Sequence, residues 1–374
     1  MAESLYIHIP FCISKKCSYC DFYSIVYNDN IVSEYFKALL KELEKRKDEI
    51  TNLKTIYLGG GTPSIIAEEQ FARVFELIYN TFTVSSDAEI TIEANPAAIK
   101  ASKLKFLRNS LAVNRISLGV QSFIDSELKS LGRAHTSRDA QIAIEDITRY
   151  FTNYSFDLIY GIPSQSLENW QYNLNNALSY KPKHISTYEL TIEKNTPLYY
   201  LVENKAVDLI DEETIITMYR GVIDRLNLEG YEHYEISNFC LSDYECVHNL
   251  NYWKRGEYVG IGAAAHSFID NARFSNVSDV NKYIEMLNAP AYSSHCAVDE
   301  TLELSSKDEL AENVFLGLRL TKGIKMPKLK TLNAVEILRE NGFLLIEGEN
   351  IKLTPKGILV SNQVIGKILE GLDV

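Results

Sequence analysis

Cys12, Cys17 and Cys20 lie within nine residues, directly after the apolar, strand-like run Leu5-Tyr6-Ile7-His8-Ile9. Three thiolates on one short loop can ligate three irons of a [4Fe–4S] cluster and leave the fourth iron without a protein ligand. An open iron is a reactive position. Two plainer readings stand beside this one. Structural zinc wants four N or S ligands, and no second cysteine pair or nearby Cys/His pair completes the set, because His8 belongs to the strand run. Disulfide pairing is disfavoured by the odd number and by a chain that reads as intracellular. The cysteines alone leave cluster, zinc and free thiols open.

A second segment with chemical potential is Ile56-Tyr57-Leu58-Gly59-Gly60-Gly61-Thr62-Pro63-Ser64. Three consecutive glycines remove every Cβ, so backbone N–H and C=O groups can approach a ligand closely; a tight βα turn without a ligand is the plainer account. The Lys-Ser/Thr ending of a nucleotide P-loop is absent. Further polar residues stand at or near the ends of successive apolar runs: Glu93 in Ile92-Glu93-Ala94-Asn95-Pro96, Gln121 in Val120-Gln121-Ser122, Arg133 and His135 in Leu131-Gly132-Arg133-Ala134-His135, and Asp157 in Phe156-Asp157-Leu158. A carboxylate at a strand end can pair with an amine or a ribose hydroxyl, and an arginine can clamp a carboxylate. Each alone fits a structural role. One polar group per successive strand end argues for a shared pocket.

The elements that must position these residues follow from periodicity. Short β-rich runs at 5–9, 55–58, 89–93, 115–118, 155–160 and 185–190 alternate with amphipathic stretches at 31–47, 65–79, 101–109, 137–150 and 167–177. That alternation predicts βαβ units and a parallel sheet. Six strands fall short of the eight of a closed barrel, so the expected fold is α/β, a partial (β/α)6 TIM-like barrel with its chemistry on the loops after the strand ends. A helix is expected at 211–230, and residues 231–275, rich in aromatics, are expected to form irregular strands and loops. The tail shows helical patterns at 280–289, 306–320 and 327–341, β runs at 343–347 and 350–353, and a last helix after Pro355, which resembles a winged-helix module. The expected divisions are a barrel over 1–230, an aromatic-rich connecting region over 231–279 and a helical, winged-helix-like module over 280–374.

A formal net charge of −12 counts against broad nonspecific nucleic-acid binding. The tail lysines Lys322, Lys325, Lys328 and Lys330 are offset by nearby acids, and no arginine-rich recognition helix appears, so packing or a lid role is expected of that module. No apolar run approaches membrane-spanning length, and the N-terminal residues resemble neither signal nor transit peptide. A cytoplasmic protein with reduced thiols is expected.

The cysteine loop, the Gly-Gly-Gly-Thr-Pro-Ser turn and Glu93 resemble the radical S-adenosylmethionine (SAM) superfamily. Within it the chain is similar to the oxygen-independent coproporphyrinogen III oxidase group, and most of all to that group's haem chaperone branch. Tyr234-Glu235-Ile236-Ser237-Asn238-Phe239, His248-Asn249-Leu250-Asn251-Tyr252-Trp253 and Gly260-Ile261-Gly262-Ala263-Ala264-Ala265-His266-Ser267 are also family-like. The resemblance implies that Cys12, Cys17 and Cys20 ligate the cluster and that its open iron chelates the amino and carboxylate groups of SAM. It implies that Tyr6 and Gly60 line the SAM pocket and that Glu93 contacts the same SAM. Tyr19, Gly61, Thr62, Gln121, Arg133 and Asp157 match positions that contact SAM molecules in the oxidases, some of them a second one. His248 falls in a motif linked to haem binding, where a neutral imidazole is a good axial iron ligand; Tyr252 and Trp253 would stack on the porphyrin or support the histidine. The alternative for His248 is a buried histidine hydrogen-bonded among aromatics. Cys240, Cys246, His266 and Cys296 are read as structural.

The function so implied is a haem carrier that delivers haem to an acceptor apoprotein, with a reductant such as flavodoxin or ferredoxin serving the cluster. The alternative is oxidative decarboxylation of coproporphyrinogen III to protoporphyrinogen IX. A third reading, a winged-helix regulator with a redox cluster, is opposed by the acidic balance. The carrier is favoured by two departures from the oxidases: only four residues precede the first strand, and Asp21 stands where they carry another cysteine. A further departure is the spacing of Cys12 and Cys17, with four residues between them, one more than the family's usual number. An added loop residue costs little closure entropy, and an outward bulge still lets three sulfurs converge.

Overall fold

Strand and helix alternate through the first half of the chain in a computed structural model that describes residues 1–14, 16–289, 297–326, 329 and 332–372. Strands β1 (Ala2–Ile9), β2 (Ile50–Gly60), β3 (Thr83–Ala94), β4 (Arg115–Gln121), β5 (Tyr154–Tyr160) and β6 (His184–Glu189) lie side by side in sequence order, all parallel. Helices Asp29–Lys45, Glu68–Thr81, Ala101–Leu111, Ser137–Tyr150 and Leu167–Ser179 occupy the intervals. β2 and β3 begin upstream of the apolar runs that mark them: Asn52 and Leu53 already pair with Thr83 and Val84, before an irregularity that holds polar Ser85 and Asp87, and pairing resumes at Thr55 and Glu89.

Local chemistry fixes where the helices start. Asn28 accepts the N–H groups of Asn30 and Ile31 ahead of Asp29–Lys45, and Thr136 and Asp139 form a reciprocal capping box on Ser137–Tyr150. The apolar faces meet a sheet whose central strand, β4, is buried at every residue, as a strand covered on both faces must be.

Residues 231–275 are more regular than expected. Strands β7 (Glu232–Glu235) and β8 (Asn238–Cys240) extend the sheet antiparallel beyond β6, and β9 (Val259–Ile261) adds a parallel strand beside β1. The sheet order is thus β9-β1-β2-β3-β4-β5-β6-β8-β7, open at both edges. Between β8 and β9 the chain forms the helix Val247–Trp253, which carries the histidine-aromatic motif. The sequence expectation missed this helix because seven residues give too little periodicity; Glu89 fixes it by accepting the N–H groups of Val247 and His248 at 3.1 and 3.0 Å.

One apolar core runs from Ala2 to Ala297 and includes Val280, Tyr283 and Leu287 of helix Val280–Asn288. A second core joins Val314, Leu318, Val335, Leu344, Ile351, Leu353, Val364 and Ile368. The wing has three strands, with Ile324–Lys325 added to Leu344–Glu347 and Asn350–Leu353. The helix expected at 327–341 is described as Asn333–Glu340; Lys328, Lys330 and Cys296 lie outside the described residues. Backbone bonds from Ile236 N to Arg319 O and from Thr321 N to Tyr234 O, each 3.1 Å, join the tail to β7. No helix among the described residues is long and apolar enough to cross a membrane.

Candidate functional site

A cleft of about 410 Å³ opens at the C-terminal ends of the parallel strands, where a (β/α) fold places its chemistry. Tyr19, Gly60, Gly61, Thr62, Glu93, Gln121, Arg133 and Asp157 all line it, together with Cys20. A smaller adjoining cavity of about 60 Å³ is lined by Cys12, Cys17 and Cys20 and again by Gly60, Gly61, Thr62 and Arg133. The structure therefore gathers the cysteine loop and eight of the expected contact residues around one space. It does not bring Tyr6, His248 or Tyr252 to that space.

Glu93, the penultimate residue of β3, accepts hydrogen bonds from Tyr57 Oη at 2.9 Å and from Gly60 N at 3.1 Å. Burial pushes its carboxyl up to about 7, and the neighbouring Asp157 adds to the rise against those two donors. Asp157 is itself raised, first by burial, with Ser186, Arg115 and Ser117 opposing. Both Ser117 Oγ contacts to Asp157 are 3.3 Å. Gln121 ends β4 in the left-handed region at φ 65°, a strained setting that turns its side chain across Gly119. A Cβ on Gly119 would stand 2.9 Å from Gln121 Nε2 and 3.3 Å from Arg133 Nη2, so glycine is what lets those two groups lie together.

The glycine turn serves the scaffold more than expected. Gly60 N binds Glu93, Gly61 N binds Ile9 O at 2.8 Å, and Thr62 N binds Phe11 O at 2.7 Å. These amides are already engaged, which welds the turn to the strand leading into the cysteine loop. A Cβ on Gly61 would sit 2.6 Å from Phe11 O, so close approach of two backbones is what this glycine permits.

The cysteine loop is anchored at both ends. Phe11–Cys12 pairs with Ile25–Val26, and Ser18 N and Oγ donate to Leu131 O and Ser130 O, each at 3.0 Å. Between these anchors Ile13 and Ser14 are exposed, so the longer spacing is taken up on the surface; Lys15 lies outside the described residues. All three thiols are unpaired and partly accessible. Among the described residues no three His, Cys, Asp or Glu side chains are gathered tightly enough to hold a single metal ion. A cluster requires a different spacing, because each sulfur takes its own iron. Burial pushes the Cys20 thiol up to about 11, so a metal must displace its proton. Arg133 Nη1 stands 3.5 Å from Cys17 Sγ, Nη2 donates to Gly119 O at 2.9 Å, and Nε is buried without a hydrogen-bond partner. A donor set of three thiols beside a guanidinium fits a negatively charged iron–sulfur group.

His248 is enclosed in the sheet's interior on the far side of Tyr57. Its Nδ1 pairs with Thr55 Oγ1 at 2.7 Å, its Nε2 pairs with Tyr252 Oη at 2.8 Å, and its ring stacks on Tyr57 at 5.0 Å. Burial, with Arg115 nearby, lowers it to about 3 and keeps the ring neutral. Both nitrogens are thus occupied, as the alternative of a histidine bonded among aromatics expects. Tyr6 Oη bonds His8 Nδ1 at 2.9 Å, and its ring flanks Tyr57 at 6.2 Å, a layer beneath the cleft. Sequence reasoning missed Tyr57, which shares a face of β2 with Thr55, and missed Tyr188, Glu189 and Glu193, which line the cleft. Period-two alternation upstream of the glycines was the available signal for Tyr57.

Comparisons with known proteins agree with this geometry. Residues 6–175 match the radical SAM superfamily, and residues 304–360 match the HemN C-terminal domain. A heme chaperone HemW from Bacillus subtilis (strain 168) is 35% identical, covering 98% of this chain and 99% of that one. A heme chaperone HemW from Lactococcus lactis subsp. lactis (strain IL1403) is 34% identical over 98% and 97%. The one from Escherichia coli (strain K12) is 38% identical over 70% and 69%. Among solved structures, coproporphyrinogen III oxidase (HemN) from Escherichia coli, a radical SAM enzyme, superposes with a TM-score of 0.83 at 23% identity, covering 99% of this chain and 90% of that one, which establishes the shared fold. Full-length identity to several such relatives, together with the cysteine loop at the strand ends, assigns this chain to the HemW family of radical SAM proteins.

Proposed function

We propose that this protein is a haem chaperone, binding haem and delivering it to an acceptor apoprotein, with a [4Fe–4S] cluster on Cys12, Cys17 and Cys20 and SAM in the adjoining cleft. Reduced flavodoxin or ferredoxin supplies electrons to the cluster, and the cytoplasm, which keeps such thiols reduced, is the place of action. When bound, the cluster's open iron supplies the site for SAM's amino and carboxylate groups. Glu93 and Asp157 would pair with the cationic and hydroxylated groups of bound SAM, and Arg133 would balance the charge of a cluster at Cys17.

The observation that carries this reading against porphyrinogen oxidation is the charge of the cleft. Its lining offers five acidic side chains, Asp21, Glu93, Asp157, Glu189 and Glu193, and Arg133 as the one guanidinium. Coproporphyrinogen carries four propionates, which such a lining repels, whereas a sulfonium cofactor is attracted. The cavity's 410 Å³ also lies near the small end of ligand sites, which span about 300–1,000 Å³. The test is anaerobic reconstitution followed by parallel measurements of haem binding and porphyrinogen turnover. We expect a saturable Soret absorption, transfer of haem to an apoprotein, and no protoporphyrinogen IX. Multiple turnovers of coproporphyrinogen III would overturn the reading.

A further inference from the structure

We propose that His248 is a positioning residue for the cofactor cleft, setting the carboxylate of Glu93 through Tyr57, and that its imidazole is not an iron ligand. The inference rests on the reading of the cleft as the SAM site. Thr55 and Tyr57 point from β2 to the same side of the sheet, and His248 spans them, bonded to the first at 2.7 Å and stacked on the second with an interplanar angle of 24°. Tyr57 Oη then donates to Glu93 Oε1 at 2.9 Å. Tyr6 packs beside both rings, 6.2 Å from Tyr57 and 6.4 Å from His248, and completes a three-ring cluster.

Tyr57, Tyr6 and Glu93 pack closely around Gly59. A Cβ on Gly59 would meet Tyr57 Cε1 at 3.0 Å and Glu93 Oε1 and the Tyr6 ring at 3.1 Å. A shift of the Tyr57 ring is therefore passed on to the Glu93 carboxylate.

A second polar path rises from the same floor. Glu89 holds the start of helix Val247–Trp253, and Arg115, buried beside Glu89 and Cys246, leads by Nη2 to Ser155 Oγ at 3.2 Å, Ser155 to Ser117 at 3.0 Å, and Ser117 to Asp157 at 3.3 Å. Glu93 and Asp157 thus both stand on the layer that this helix completes. Iron ligation by His248 would instead require Thr55 or Tyr252 to give up its nitrogen, and neither the cleft nor the cavity under the cysteines reaches the ring.

The experiment compares SAM affinity, haem Soret titration, iron content and thermal midpoint in cluster-reconstituted wild type, Tyr57→Phe, His248→Ala, His248→Gln and the double variant Tyr57→Phe/His248→Ala. Tyr57→Phe keeps the ring and removes only the hydroxyl, so it folds where a larger change would not. We expect SAM affinity to fall about tenfold in Tyr57→Phe, the loss of one buried hydrogen bond. It should fall at least as far in His248→Ala, and no further in the double variant, because both act along one path. His248→Gln should regain most of the affinity by bonding Thr55 and Tyr252. Haem titration should be unchanged throughout. Wild-type SAM affinity in both Tyr57→Phe and His248→Ala would overturn the inference, as would loss of the Soret band in both His248 variants with SAM binding intact. Failure of the wild type itself to bind SAM would instead overturn the reading of the cleft, and this inference with it.

Discussion

Replacing Gly60 with alanine isolates how tightly the cofactor turn is built. Gly60 has φ 113°, outside the range that L residues ordinarily adopt, and its amide is committed to Glu93. A Cβ there would meet the His8 ring at 2.7 Å from Cε1 and 2.9 Å from Nδ1. The ring cannot swing away. Its Nδ1 accepts from Tyr6 Oη at 2.9 Å and its Nε2 donates to Tyr23 O at 3.1 Å, an assignment consistent with burial lowering His8 to about 4 and leaving it neutral. Backbone strain of about 1–3 kcal/mol adds to overpacking of about 1–3 kcal/mol, so Gly60→Ala should lose about 4 kcal/mol. Gly230, with φ 82° and nothing within 4 Å of its Cβ position, supplies the control. Gly230→Ala carries the strain alone, about 1–2 kcal/mol. Urea unfolding of the two variants and wild type, without cluster, measures the difference. A gap between the variants below about 1 kcal/mol would refute the claim that the His8 ring is immovable, since crowding must exceed that.

Three other outcomes are expected. Glu93, raised from 4.5 to about 7, holds a proton in the fold that the unfolded chain has released, so its contribution is complete below pH 4.5 and is lost as pH rises through 7. Glu93→Gln should lack that loss and gain up to about 3 kcal/mol relative to wild type between pH 4.5 and 8; parallel stability curves in urea titrations across that range would rule this out. Arg133→Met should release cluster iron to a chelator about tenfold faster with little change in fold, and Arg133→Lys should not restore it, because a point charge cannot reach both Cys17 and Gly119 O; an unchanged release half-time would count against a role for Arg133 at the cluster. Glu42 is buried and accepts from Gly262 N at 2.8 Å, Asn276 Nδ2 at 2.7 Å and Tyr283 Oη at 2.5 Å, with Arg46 at 4.0 Å. Glu42→Ala strands these donors and should cost about 3–5 kcal/mol in a denaturant melt; a loss under 1 kcal/mol would show that the network is dispensable.

The cysteine loop, the glycine turn, the strand-end residues Glu93 and Gln121 and the mid-strand Asp157 were legible in the chain because each depends on local pattern. Strand–helix alternation determines which residue ends a strand, and parallel pairing puts those ends on one side of the sheet. Helix starts at Asn28 and Thr136 were likewise encoded within a few residues. The tertiary structure decided what lies between distant segments. Thr55 and His248, 193 positions apart, meet because β9 pairs with β1 and carries the preceding helix beneath β2. That contact placed a motif expected at a metal beside Tyr57, with both ring nitrogens of His248 hydrogen-bonded, and Tyr6 lies outside the cleft it was expected to line. Hydrophobic period and turn chemistry report burial and backbone conformation residue by residue, whereas the partner of a buried polar group depends on which strands become neighbours, and sheet order is a property of the whole chain.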